Sequence, residues 1–418
     1  MAGARRTPAC DNHLDELAIS IQRRFEGLSP PSDCCIFTVP ERLRRQNEEA
    51  YTPRVVAIGP YYHLDSSFMQ IEDHKLRYLQ NFLQENQNYR LRDYIEKVKS
   101  WEDDARNCYD KQIDLDSDEF TKMMLLDGIF VIQLFLMHCS RRSKLPNDRI
   151  FGKPWMFDDV CRDMVLLENQ IPFFVIERLL KIAFDSHQQL MVELVGWFFK
   201  MVTRRPASVM ESEVKHLLHA ISLTFLSSVR RTPNESNEKL KFTPSAMELV
   251  AAGVKLRRRE SECLFDIEFE KGVLNIPYLT LDDTTESYFR NIMAFEQCYC
   301  PNKYLTDYMD FVHHLVDTPG DAELLINKGI IENWLSNKEA VARVINALGK
   351  ENILSEHYYF HSLSDKLIKH CQRPHNKWKA TFKRNYCSSP WVVISVIAAG
   401  VLLLLTIAQT VFSALSLA

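Results

Sequence analysis

Asp127 lies in the apolar run FTKMMLLDGIFVIQLFLMH, Phe120 to His138, and Glu168, Asn169 and Gln170 interrupt a second apolar run, Asp163 to Phe184. A carboxylate held among apolar side chains is a candidate for acid–base work, because burial tunes its pKa. It is equally a candidate for pairing with a cation or capping a helix. A general acid or base needs a catalytic partner within reach, and the sequence shows none for either carboxylate. The simpler reading is a structural polar cluster of Asp127, Glu168, Asn169 and Gln170. In it the polar trio satisfies backbone groups that Pro172 frees where it bends a helix. An enzyme with an unrecognised site around Asp127 and Glu168 is the alternative.

Other spacings say less. His357 and His361 stand at i and i+4, which could place both on one helix face, but they sit among Tyr358, Tyr359 and Phe360 with no third ligand in register. Cys298-Tyr299-Cys300 is too short a gap for a usual zinc clamp. His63 has no second ligand at a useful spacing. Asp282-Asp283 precedes a helix, where carboxylates complement the exposed N–H groups. His313-His314 beside Asp310 and Asp317 fits helical ion-pair spacing. No Walker loop, dinucleotide fingerprint, nucleophile elbow or HExxH motif occurs. The sequence therefore predicts no catalytic, cofactor-binding or metal site.

Composition narrows the class. The chain holds 12 glycines in 418 residues, well under the usual ~7%, which favours helices over glycine-rich phosphate loops. The net charge is −4 and the basic clusters are short and scattered (Arg42/Arg44/Arg45, Arg141/Arg142, Arg204/Arg205, Arg257 to Arg259), so no nucleic-acid track is expected. The N-terminus lacks an apolar signal region and has Ala2 where myristoylation needs glycine. The 11 cysteines show no framework spacing and read as reduced, mostly buried thiols.

Apolar periodicity supplies the elements. Leu14, Leu17, Ala18, Ile21 and Phe25 mark an amphipathic helix in an N-terminal segment, 1–30. In the body, 31–384, Ile36 to Val39 and Val55 to Ile58 look extended. Helices are expected around Ile71 to Leu83, Tyr89 to Tyr109, Phe120 to His138, His187 to Val202, Glu211 to Val229 and Thr243 to Gly253. Further helices follow at Thr285 to Cys298, Asn302 to Val316, Asp321 to Gly329, Lys338 to Leu348 and Ser355 to Cys371. Phe265, Ile267 and Phe269 alternate before the turn Glu270-Lys271-Gly272, which predicts one β-hairpin returning through Val273 to Leu281. The polar stretch 232–241 is the candidate internal boundary. The fold class is thus mainly α, a large helical globular body with a small β-hairpin or ribbon and one C-terminal transmembrane helix.

That last helix is read from Trp391 to Phe412, which contains no charge. About 22 residues give roughly 33 Å of helix, enough for a hydrocarbon core of roughly 30 Å. Pro390 suits a first helical turn and Trp391 an interface. The assignment is a transmembrane helix at 390–412 with a short tail, 413–418. Lys377, Lys379, Lys383 and Arg384 precede it, and the positive-inside rule then puts the body in the cytoplasm. A glycolipid-anchor signal is the competing reading of such an end, and Asn234-Glu235-Ser236 would be a usable sequon only in a luminal body. Plasma membrane and endomembrane are not distinguished by these features.

IFTVPERLRRQNEEAYTPRVVAIGPYYH, Ile36 to His63, resembles the opening of the plant-specific domain-of-unknown-function 247 family (uncharacterised protein family 0481). Five further stretches resemble it in the same order: IEDHKLRYL at Ile71, MMLLDGIFVIQLF at Met123, MVLLENQIPFFVIERL at Met164, AMELVAAGVK at Ala246, and FDIEFEKGVLNIPYLTLDDTTESYFRNIMAFEQC ending at Cys298. The tail from Asn385 is similar too. One departure is His63 directly after Tyr61-Tyr62, where Tyr-His-His is commoner. The resemblance implies a plant membrane protein with a mainly helical body and a C-terminal anchor. Some grass members are associated with self-incompatibility, as the male-side partner of small secreted proteins. The expected function is a membrane-anchored recognition or signalling protein. Its expected partners are the lipid bilayer, through the C-terminal helix, and a protein partner, with pollen recognition among its roles. A non-catalytic membrane adaptor is a further alternative.

Overall fold

The computed structural model describes residues 16–22, 34–139, 145, 147–184, 190, 193, 196, 214–226, 242–261, 263–374 and 390–416. Outside them lie most of His187 to Val202, the stretch 232–241 with its sequon, and Lys377, Lys379, Lys383 and Arg384. Of the N-terminal amphipathic segment, 16–22 is described and is helical.

The N-terminal half is built from α1 (Glu41–Arg44), α2 (Met69–Glu85), α3 (Leu91–Lys99), α4 (Glu102–Arg106), α5 (Ser117–His138), α6 (Pro154–Asp163), α7 (Phe173–Ala183) and α8 (Leu217–Leu226). α5 is its axis. Asp116 caps it by accepting from the N–H groups of Asp118 (3.0 Å) and Glu119 (2.9 Å). From Met123 to Met137 every side chain is buried, because α2, α3 and α7 cover it on different sides. A helix apolar all round needs such complete cover. Among the described residues α5 is the helix long and apolar enough to cross a membrane, yet 94% of its apolar window is buried inside the body. It is a core helix.

The C-terminal half adds α9 (Ala246–Ala251), β1 (Lys255–Arg259), β2 (Glu268–Glu270), β3 (Val273–Pro277), β4 (Leu279–Leu281), α10 (Thr285–Tyr299), α11 (Tyr304–Leu315), α12 (Pro319–Asn327), β5 (Ile331–Asn333), α13 (Lys338–Leu348) and α14 (His361–Gln372). The hairpin expectation holds in part. β2 and β3 do pair antiparallel, but β1 runs parallel to β3 on its other side, and β4 pairs in parallel with the distant β5. Among the described residues the molecule is mainly helical with two small sheets. At the hairpin turn Lys271 and Gly272 both have positive φ (49° and 78°), as a two-residue primed turn requires. The helix expected from Thr243-Pro244 begins later, where Ser245 and Glu248 form a capping box.

α11 shows how a buried side chain substitutes for a local cap. Lys303 offers no side-chain cap. Glu296, fully buried on α10, accepts from the N–H of Leu305 (2.9 Å), the N–H of Thr306 (2.9 Å) and the Thr306 hydroxyl (2.8 Å). Burial outweighs these bonds and raises its pKa from 4.5 to about 7. Between those values the unfolded carboxyl ionises and the folded one resists, so stability falls as pH climbs from about 4.5 to about 7, by about 3 kcal/mol. Glu296→Gln should flatten that part of the pH profile. Denaturation midpoints at about pH 5 and about pH 8 measure it; an undiminished slope in the variant would refute the assignment to Glu296.

The last element, α15 (Pro390–Ser416), is a 27-residue helix. Within it Ala398–Phe412 is the described apolar stretch.

Candidate functional site

The segment Arg54 to Gly59 is neither helix nor strand, bends at Arg54, Val55 and Gly59, and pairs with no strand among the described residues. Its backbone groups bond to side chains instead. Asp163, the last residue of α6, accepts from the N–H groups of Arg54 (2.9 Å), Val55 (2.7 Å) and Val56 (3.1 Å). Asn169 accepts from Ile58 N–H (2.7 Å) and donates to the carbonyl of Val56 (3.0 Å). Asp127 on α5 accepts from Gly59 N–H (2.8 Å). Lys75 on α2 donates to the carbonyl of Ala57 (2.6 Å). Buried backbone groups must be paired, and here four side chains do what a sheet neighbour would do.

Lys75 also meets Asp127 at 2.5 Å and Glu72 at 2.6 Å, so all three ammonium protons are used. Lys75 and Asp127 are each 1% exposed, and the two carboxylates hold the Lys75 pKa above its ordinary value against burial. Glu168 accepts from Val39 N–H (2.7 Å), Tyr62 hydroxyl (2.9 Å) and the Arg44 guanidinium. Burial and the Glu168 charge push the Tyr62 hydroxyl up to about 12. Gln170 donates to the carbonyls of Met164 and Leu166, both at 2.8 Å, and accepts from Leu218 N–H (3.2 Å).

Asp127, Glu168 and Asn169, three of the four polar residues singled out in the sequence, therefore converge on one segment, 36–63, while the Gln170 side chain ties its own turn to α8. They do so from places the sequence did not suggest. Pro172 does not kink a continuous helix. α6 stops at Asp163, the polar trio lies in a buried turn, and Pro172 sits immediately before the first residue of α7, where its missing N–H costs nothing. Lys75, Asp163, Arg44 and Gly59 were missed. Lys75 had a signal: Ile71, Lys75, Tyr78 and Phe82 fall at i, i+4, i+7 and i+11, which puts a charge on the buried face of α2.

This arrangement holds chain in place and leaves no open position. Both oxygens of Asp127 and both of Glu168 are engaged. Cavities lie elsewhere. A cleft of ≈ 230 Å³ opens beside β4 and β5, near Phe225, Tyr278, Tyr288 and Trp334. Its carboxylates are also occupied: Asp282 caps α10 through Thr284 and Thr285, and Glu332 bonds Arg258 (3.0 Å) and Thr280 (3.0 Å). A second hollow includes His313 and His314. There His313 bonds Asn346 (2.7 Å), while His314 bonds the Asp310 carbonyl (2.8 Å) and stacks on Phe242. His357 lies before α14 and His361 opens it, so they do not share a helix face. Among the described residues no His, Cys, Asp and Glu side chains are grouped to hold a metal ion.

The convergence has a relational counterpart, since the segments that build it match a known family in one continuous alignment. The profile of DUF247, described as a plant protein of unknown function, matches residues 36–405. The chain belongs to that family. Among DUF247 relatives, UPF0481 protein At3g47200 of Arabidopsis thaliana is 30% identical over 417 residues, covering 92% of this chain and 87% of the relative. Putative UPF0481 protein At3g02645, from the same plant, is 22% identical, covering 90% and 89%. No solved structure matches. The DUF247 match begins at Ile36, whose N–H donates to the Cys108 carbonyl (2.8 Å).

Proposed function

We propose that this DUF247 protein is a membrane-anchored recognition protein, held by α15 with its body in the cytoplasm and acting by binding a protein partner. The observation that carries the anchor is the exposure of α15: Leu402, Leu404 and Phe412 are 65%, 68% and 72% exposed. Contiguous apolar surface of that kind is expected to meet lipid or protein rather than water. The helix runs about 40 Å at 1.5 Å per residue, longer than a hydrocarbon core. Lys377, Lys379, Lys383 and Arg384 before it, with no charge in 385–418, support the cytoplasmic side. A binding role rather than a catalytic one draws support from the full engagement of Asp127 and Glu168.

Protease protection on sealed plant vesicles tests the topology. The body should be digested without detergent, and a chain ending at Arg384 should leave the carbonate-resistant membrane fraction. Digestion only after the membrane is opened would reverse the orientation and admit a small secreted partner, as in pollen recognition. Retention of the truncated chain would remove the anchor altogether.

The recognition surface has a separate test. Trp155 and Trp334 are 57% and 65% exposed, and tryptophans dominate binding hot spots. Trp155→Ala with Trp334→Ala should lower cross-linking to a partner at least tenfold while leaving membrane retention unchanged, a loss on the order of 1.4 kcal/mol or more. Unchanged cross-linking would place recognition elsewhere on the body.

A further inference from the structure

We propose that Cys35 and Cys108 are a disulfide-forming pair, a thiol modification site that locks the start of the body to the loop after α4. The backbone sets the geometry. Ile36 and Tyr109 form an isolated parallel bridge, with Ile36 N–H bonded to the Cys108 carbonyl (2.8 Å) and Asp110 N–H to the Ile36 carbonyl (3.0 Å). Cys35 and Cys108 precede the two bridged residues, Cys108 in the turn after α4, and Cys35 N–H donates to the Cys108 carbonyl (2.9 Å), which brings the two backbones together. Neighbouring strands lie ~4.8 Å apart, inside the Cα window of about 4.4–6.8 Å that a disulfide accepts. The thiols are near enough for each to shift the other's pKa, and the Cys108 thiol donates to the Asp104 carbonyl (3.4 Å).

Their surroundings assign different roles. Cys35 is 1% exposed, whereas Cys108 is half-buried and reachable from solvent. The neighbouring Cys35 thiol lowers the Cys108 pKa against burial, with the Lys215 ammonium adding to the effect, while Cys108 and burial raise that of Cys35. A half-buried thiol with thiolate character attacks first. The co-reactant is a small disulfide such as glutathione disulfide. Cys108 thiolate attacks one of its sulfurs, breaking that S–S bond and releasing glutathione thiolate. Cys35 sulfur then attacks Cys108 sulfur, forming the protein disulfide and expelling the second glutathione, and the Cys35 proton passes to the departing thiolate. Two thiols are oxidised and one glutathione disulfide is reduced to two glutathiones.

Competing pairs make the claim specific. Cys34 is adjacent in sequence, and Cys298 lies close enough to Cys34 to feel its charge. The test incubates the full chain in detergent with glutathione disulfide, blocks residual thiols at low pH and maps peptides without reduction. A Cys35–Cys108 cross-link is expected, retained in Cys34→Ser and lost in Cys108→Ser, with an unfolding midpoint raised by about 5 °C in the oxidised protein. A Cys34–Cys298 or Cys34–Cys108 link in its place would overturn the assignment. So would a glutathione adduct that persists on Cys108, or thiols at both positions that remain alkylatable. Because the map is read on the unsubstituted chain, misfolding of a variant does not decide the question.

Discussion

Replacing Lys75 with methionine is expected to destabilise the body by about 3–5 kcal/mol, the range for breaking a buried ion pair by removing one partner. The geometry argues for the upper part of that range. Lys75→Met removes the cation facing Asp127, leaves the Ala57 carbonyl without its donor, and frees Glu72. Methionine fits the stem of lysine, so packing is nearly conserved and the cost is electrostatic. The double variant Lys75→Met with Asp127→Leu separates the terms. It removes both charges and should recover part of the loss, because an apolar pair of similar volume is often as stable as a buried ion pair. Recovery is incomplete, since the Gly59 N–H and the Ala57 carbonyl still lose their partners. Thermal unfolding of the full chain, compared across the cycle, gives the coupling. A Lys75→Met variant within ~0.5 kcal/mol of the parent, the usual range of surface changes, would show that Asp127 is neutral and the pair is not ionic.

Why Asp127 was recognised from the sequence and Lys75 was not is a matter of range. A carboxylate in an unbroken apolar run is conspicuous locally. Its partner sits 52 residues earlier on another helix. Elements read from periodicity survived well where packing obeys the period. α13 occupies the expected Lys338 to Leu348, with Asn337 capping it by accepting from the Ala340 N–H (2.8 Å). The hairpin turn was legible because Gly272 supplies a local conformational demand. β1 was not, because its sequence KLRRR has no apolar alternation, and its partner β3 is reached only by a parallel crossing. β4 and β5 are three residues each and pair across the α10 to α12 helices, beyond any local pattern. The polar trio was legible as polar but not as a turn. Nothing local distinguishes a proline that bends a helix from one that starts the next, and the distinction came from Asp163, which leaves α6 to bind three backbone amides of a distant segment.

Gly59→Ala should be as damaging as the loss of Lys75, and a paired glycine shows why. Gly59 and Gly272 share φ = +78°, so each substitution carries the same left-handed strain, about 1–2 kcal/mol for an L-residue. Their surroundings differ. A Cβ on Gly272 meets only the flexible His370 ring at 3.7 Å, an ordinary contact. A Cβ on Gly59 falls 2.2 Å from the Gln170 carbonyl oxygen and 3.1 Å from its carbon. That obstacle is backbone, pinned by the Tyr109 hydroxyl (3.1 Å) and by the Gln170 side chain on Met164 and Leu166. Relief requires moving the 54–59 segment away, which lengthens the Asp127, Asn169 and Asp163 bonds together. The expected cost is therefore about 4 kcal/mol or more for Gly59→Ala against about 1–2 kcal/mol for Gly272→Ala. Unfolding midpoints of the two variants, measured on the full chain in one detergent, make the comparison. Equal losses would mean that only φ matters and that the segment is free to shift. A much larger loss at Gly59 would show that the polar cluster acts as one rigid clamp.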